Sequence, residues 1–180
     1  MLAIHDVPVP PIEGLPDENA RLIRALAEER PDLNGSVPSA AMWSLVRDRP
    51  VPTDAGPPTL VHYDFHPGNT LFLGDRLSAV VDWTEAAAGQ PASEVCFCRL
   101  NVALVLGLEA GGLVLEAYEA EIGAPLADRG WWDLVAAARV EPDLDYWTRS
   151  ANYFGPPDVT VKTVADRFGH FVADALTSAS

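Results

Sequence analysis

Lysine is almost missing from this chain of 180 residues: of twelve basic side chains only Lys162 is a lysine, and it lies near the C-terminus. Basic residues are scarce as a class, so the formal net charge is −14 and the sequence pI is about 4.4. A chain of that balance repels nucleic acid and anionic membrane surfaces and attracts cationic partners. Cysteine is limited to Cys96 and Cys98. Residues two apart on a helix point to nearly opposite sides, so these two do not bridge each other. They read as small buried hydrophobes in a reducing compartment, and the expected location is cytoplasmic. Long hydrophobic runs are also lacking. The most apolar stretch, "VALVLGLEAGGLVLEAY", is interrupted by Glu109 and a glycine pair and falls short of the roughly 20 residues a membrane span needs. The N-terminus has no basic leader, and its apolar stretch is too short for a signal sequence. No repeat or low-complexity segment is visible. What remains is plentiful apolar material, 48% of residues, with five Trp, six Phe and four Tyr. That is the composition of a globular chain.

Hydrophobic period and breakers set the expected elements. "DENARLIRALAEER" is a helix capped by Asp17, with Leu22, Ile23 and Leu26 as its apolar stripe and Pro31 as its stop. "SAAMWSLVRDR" is a second helix between Pro38 and Pro50, followed by a Pro/Gly/Asp-rich connector. The pattern then changes. "TLVHYDF" is extended, "HPGN" is a turn, and "TLFL-GDR-LSAVVDW" carries a hairpin signal. Pro91 suits the first turn of a long helix, "ASEVCFCRLNVALVLGLE". Further helices fit "GLVLEAYEAEIG", "WWDLVAAARV" and "VTVKTVADRFGHFVADALTS". The expected fold is α+β and mostly helical, a single domain over 1–180 with one short central β-hairpin.

The chemistry-bearing residues gather at the ends of that hairpin, in "HYDFHPGN" and "VVDWTEA". Taken singly, a His or Asp beside a Pro-Gly turn is often only a local cap or turn former. Taken together they allow two active-site readings. If "VHYDFH" is a strand, then His62, Asp64 and His66 share one face and could hold a hydrolytic zinc ion. That reading gives Asn69 and the hairpin no task. The other uses both: His62, Asp64 and Asn69 satisfy H-x-D-x-x-x-x-N, the catalytic-loop pattern of kinases. There an aspartate accepts the proton of the attacking hydroxyl. An asparagine across the loop, with a second carboxylate returned by a hairpin, binds the magnesium that bridges the phosphates. Asp82, directly after "LSAVV", stands where that second acid belongs.

At "HYDFHPGNTLF" followed by "VVDWTEAAAGQPASEV" the chain resembles the aminoglycoside phosphotransferase and choline kinase-like family. That family carries H-G-D-x-H-x-x-N, then I/V-D-W, then G-x-P-x-x-D-L. The likeness is concentrated in residues 60–95. It implies a protein-kinase-like C-terminal lobe, ATP and Mg2+ as cofactors, and a small-molecule hydroxyl as phosphoryl acceptor. By matching position it implies Asp64 as catalytic base, Asn69 and Asp82 as metal ligands, and His62 and Glu94 as supporting residues. His66 matches the second histidine of the motif. Tyr63 stands where glycine is usual, Glu94 where Asp is usual, and Gln90 replaces another common Asp. The acidic balance is compatible with a cationic acceptor, for which Glu85, Glu141, Asp143 and Asp145 are candidate contacts.

The same resemblance makes an absence meaningful. Members of the family begin with a β-rich lobe that covers the nucleotide and supplies a strand lysine. No lysine precedes His62 here, and arginine is not an equivalent point charge. The expectation is a C-terminal lobe without its N-terminal lobe: a truncated form, one completed by another chain, or a catalytically inactive kinase-like binding module.

Overall fold

The computed structural model describes residues 1–7, 9, 15–27, 37–52, 56–154, 156 and 159–179. A short α1 (Leu2–His5) is followed by α2 (Glu18–Ala27) and α3 (Val37–Asp48). Asp17 accepts the Ala20 N–H at 3.4 Å, a weak cap at the start of α2. The expected continuation of that helix over 28–30 and the centre of the connector, 53–55, lie outside the described residues.

Two small antiparallel ladders follow. β1 (Thr59–Val61) pairs with β4 (Ala87–Gly89). The hairpin of β2 (Thr70–Leu73) and β3 (Arg76–Val80) lies between them in sequence and turns at Gly74-Asp75. The strand expected to run through "TLVHYDF" stops at Val61, because Tyr63 adopts φ 67° and no strand passes through a left-handed residue. β4 was not expected; Ala-Ala-Gly has little strand propensity, and only its partner makes it a strand.

The helical part is built on α4 (Pro91–Leu106), which is buried almost all round, as befits a central helix rather than a surface one. The single helix expected through "LGLE" divides at Gly107, whose φ of 113° excludes an ordinary side chain. α5 (Leu108–Ile122) then folds back along α4, with Gly111 against Ala103 and the Arg99 carbonyl. α6 (Arg129–Val140), α7 (Leu144–Phe154) and α8 (Val161–Ala179) complete the bundle. Leu100, Leu104, Leu134, Trp131 and Phe171 fill its centre; each such side chain is worth about 1.5–3 kcal/mol on burial. Trp131 and Trp132 meet edge to face at 4.7 Å. Cys96 is in this core, whereas Cys98 belongs to a separate cluster with Phe65 and Val102, and both thiols are free. Among the described residues no helix is long and apolar enough to cross a membrane.

α4 is positioned by a carboxylate from α2. Glu18, fully buried, accepts the Gln90 N–H at 3.0 Å and the Ser93 hydroxyl at 2.5 Å, so it caps the first turn of α4 from outside. A Cβ on Gly89 would overlap that carboxylate, which is why glycine must stand there.

Candidate active site

β1 delivers the chain to His62, which is completely buried. Its Nε2 lies 2.8 Å from the Val81 carbonyl, and since a carbonyl only accepts, Nε2 carries the hydrogen. The imidazole is flanked by Trp83 at 4.6 Å and Phe65 at 6.1 Å. The next residue, Tyr63, reverses the chain in the left-handed region, a conformation costing a non-glycine residue roughly 1–2 kcal/mol. Side chains hold it there from several sides. The Tyr63 N–H donates to Glu94 Oε1 at 2.8 Å, and Arg139 Nη2 donates to the Tyr63 carbonyl at 3.2 Å. The phenol ring meets the guanidiniums of Arg139, 4.0 Å from its centroid, and Arg21, at 4.8 Å. Desolvated cation–π contacts of this kind are worth up to about 2 kcal/mol.

Asp64 follows, with its carboxylate about one-third exposed. Asn69 Nδ2 donates to its backbone carbonyl at 2.9 Å and to its Oδ2 at 3.1 Å. The Gly68 N–H donates to His66 Nδ1 at 3.0 Å, leaving Nε2–H to face Asp64 Oδ2 at 3.6 Å. Burial alone would raise the Asp64 carboxyl, but His66, Asn69 and the Arg139 charge outweigh it and hold it below its ordinary value. The group is therefore an ionised acceptor, open on one side.

The hairpin returns the chain to the loop. Thr70 pairs with Val80, and the Val81 N–H donates to the Asn69 carbonyl at 2.9 Å. Both backbone groups of Val81 are thus engaged by the loop, its N–H by Asn69 and its carbonyl by His62. Asp82 comes directly after this double tether, at φ 60°, with an exposed side chain that accepts the Thr84 hydroxyl at 2.8 Å. With Asn69 Nδ2 on Asp64, it is Oδ1 that a cation would meet. An amide oxygen and an exposed carboxylate are hard donors of the kind magnesium takes alongside water and phosphate.

Zinc fits less well. His62, Asp64 and His66 do not share a strand face, because the strand ends before them. His62 is turned to Val81, and among the described residues no three His, Cys, Asp or Glu side chains gather as a metal would need. The zinc reading is corrected on that geometry. Of the candidate acceptor contacts, Glu141 is buried and accepts from Ser39 and from Trp43 Nε1, so it ties α3 to the end of α6. Glu85 is paired with Arg21, Asp145 is exposed at the start of α7, and the Asp143 side chain lies outside the described residues.

Beneath the loop lie residues that no local pattern announces. Glu94, fully buried in the first turn of α4, meets His5 Nε2 through Oε2 at 2.8 Å, and His5 Nδ1 meets the Tyr118 hydroxyl at 2.9 Å. The Glu18 carboxyl is pushed up to about 7, first by burial and further by Glu94, against the hydrogen bonds of Ser93 and Gln90 and the charge of Arg139. His5, Glu18, Arg21, Tyr118 and Arg139 reach the loop only through the tertiary fold, so sequence spacing carries no sign of them.

The model of the family described as "Phosphotransferase enzyme family" matches residues 1–135. No curated protein matches. A solved structure from Ralstonia eutropha JMP134, described as a candidate aminoglycoside phosphotransferase, superposes with a TM-score of 0.53 at 14% identity. The alignment covers 91% of this chain and 54% of that one, so the chain spans about half the length of the protein it matches. At that identity the likeness speaks for the fold.

Proposed function

The chain belongs to the phosphotransferase enzyme family, and from that premise we propose that its loop and hairpin serve ATP- and magnesium-dependent phosphorylation of a hydroxyl on a small molecule. The observation that carries the reading is the double tether at Val81, which joins the two acids: Asn69 binds Asp64 on one side and Val81 on the other, and Asp82 follows. In this reading Asp64 takes the proton of the acceptor hydroxyl as that oxygen attacks the γ-phosphate. Its lowered basicity suits a base that acts late, when the oxygen has already become acidic. Asn69 Oδ1 and the Asp82 carboxylate hold the metal, which when bound neutralises charge on the phosphates. His62 fixes the peptide before Asp82, Arg139 the peptide before Asp64, and Glu94 the N–H of Tyr63. The net charge of −14 and the exposed Asp145 favour a cationic acceptor such as an amino sugar. Free, buried thiols favour a reducing, cytoplasmic setting.

A second reading, a kinase-like binding module, is favoured by one observation. The hairpin exposes Leu71, Phe72, Leu73 and Leu77, an apolar surface suited to cover by another lobe or chain. Calorimetric titration of Mg-ATP into the chain separates the two, because the module predicts no nucleotide binding. For the enzyme, transfer of labelled phosphate to a panel of amino sugars should fall about 1000-fold in Asp64→Asn. Turnover that survives Asp64→Ala sinks the base assignment.

A further inference from the structure

Glu94 places its carboxylate on one more rotatable bond than an aspartate would, at the point where the loop amide needs a fixed acceptor. Tyr63 N–H occupies only Oε1. No arginine or lysine forms an ion pair with Glu94 among the described residues. Cys98, one turn along α4, is pushed up to about 12 by burial and by the Glu94 charge, so its thiol stays neutral. The partner that remains is His5, from the far end of the sequence, whose side chain is 4% exposed.

The direction of the hydrogens follows from the groups themselves. An ionised carboxylate only accepts, so His5 Nε2 carries the hydrogen toward Glu94 Oε2. With the ring neutral, Nδ1 accepts from the Tyr118 hydroxyl; with both nitrogens protonated, Nδ1 donates to the phenol oxygen, and in either state the two bonds hold the ring. The result is a chain of side chains, Tyr118–His5–Glu94, whose carboxylate also accepts the amide N–H of the residue before Asp64. Each member is buried, so water does not compete for its bonds. We propose that His5 is a positioning residue of the phosphotransfer reaction: it locks the Glu94 carboxylate in one orientation and thereby fixes the Tyr63 peptide and Asp64. The assignment rests on the function proposed above, while the lock itself is a property of the fold.

The test therefore reads both, in the full chain. His5→Leu fills the space without either bond, His5→Gln can donate to Glu94 and accept from Tyr118, and Tyr118→Phe removes one hydroxyl. Amide exchange at Tyr63, followed by NMR, should speed up about tenfold in His5→Leu and about threefold in Tyr118→Phe, and stay near the parent rate in His5→Gln. Turnover should follow the same order as a fall in kcat, with KM for ATP unchanged. The ring nitrogens of His5 should report hydrogen on Nε2. Unchanged Tyr63 exchange in a folded His5→Leu overturns the proposal, as does hydrogen on Nδ1 alone in the parent. If His5→Leu does not fold, Tyr118→Phe against His5→Gln decides by the same exchange rates. If exchange responds as expected but the parent transfers no phosphate to any acceptor, the lock stands and the phosphotransfer reading is what has failed.

Discussion

Asp64 and Asp82 flank the two strands of one hairpin at its open end and are built in opposite ways. Around Asp64 the chain is held by other side chains: Glu94 on the N–H and Arg139 on the carbonyl of the preceding residue, Asn69 on the Asp64 carbonyl, two guanidiniums on the Tyr63 ring. Around Asp82 the backbone is tethered up to Val81, and among the described residues the exposed carboxylate meets one threonine hydroxyl. A group that must accept a proton at a fixed distance gains from a rigid support, since small misplacements cost rate. A carboxylate that is to meet a hydrated cation is better left to solvent, because each bond it already makes competes with the ion. Under the proposed function, the contrast corresponds to a division of labour between base and metal ligand.

That contrast can be broken at three points. The largest effect is expected from Glu94→Ala, which strands both the Tyr63 N–H and His5 in the interior. Loss of about 3–5 kcal/mol is expected, read as a lower urea midpoint. A loss below about 1 kcal/mol would show that the support under Asp64 is slack. The next concerns pH. Glu18 has its folded value raised to about 7 from an ordinary 4.5, so the folded state keeps a proton that the unfolded state has released. Stability linked to Glu18 is thus fully present below 4.5 and lost as pH rises toward 7, by roughly 3 kcal/mol at most. Asp64 runs the other way: its lowered value adds stability above the ordinary 3.8 that is lost on acidification. Glu18→Gln should flatten the decline between pH 5 and 7 in urea titrations, and an unaltered slope would remove Glu18 as its cause. The smallest effect belongs to Asp82→Asn. The urea midpoint should move by less than about 0.5 kcal/mol equivalent, while calorimetry loses any magnesium-dependent nucleotide binding. A large loss of stability there would erase the difference between the two acids.

How much of this could be read from the sequence depends on range. The loop, the hairpin and Asp82 are close in sequence and governed by turn chemistry, so their order was legible in "HYDFHPGN" and "VVDW". The helices with strong period were legible too, down to Asp17 at the start of α2. α7 was not, because "EPDLDYW" has the composition of an acidic loop, yet Glu141 is buried on Trp43 and Leu144 begins a helix. β4 was hidden for a different reason: three small residues become a strand only because β1 lies beside them. The supports of the loop were the least legible. His5 and Tyr118 are separated by most of the chain, and nothing in either segment marks them as partners.

The pairing of β1 with β4 has a further consequence, in the statistics of the chain. Thr59 opposite Gly89 and Val61 opposite Ala87 close a ring of backbone, and Asp64, Asn69 and Asp82 all lie on that one excursion. The entropy of closing such a ring grows only with the logarithm of its length, about 0.6 kcal/mol per doubling. The tip at Gly74-Asp75 can therefore lengthen or vary at little cost, while the three-residue neck has no such latitude. Added length is borne most cheaply at the end of the hairpin farthest from Asp64 and Asp82, and the neck fixes the separation of the two segments that carry them.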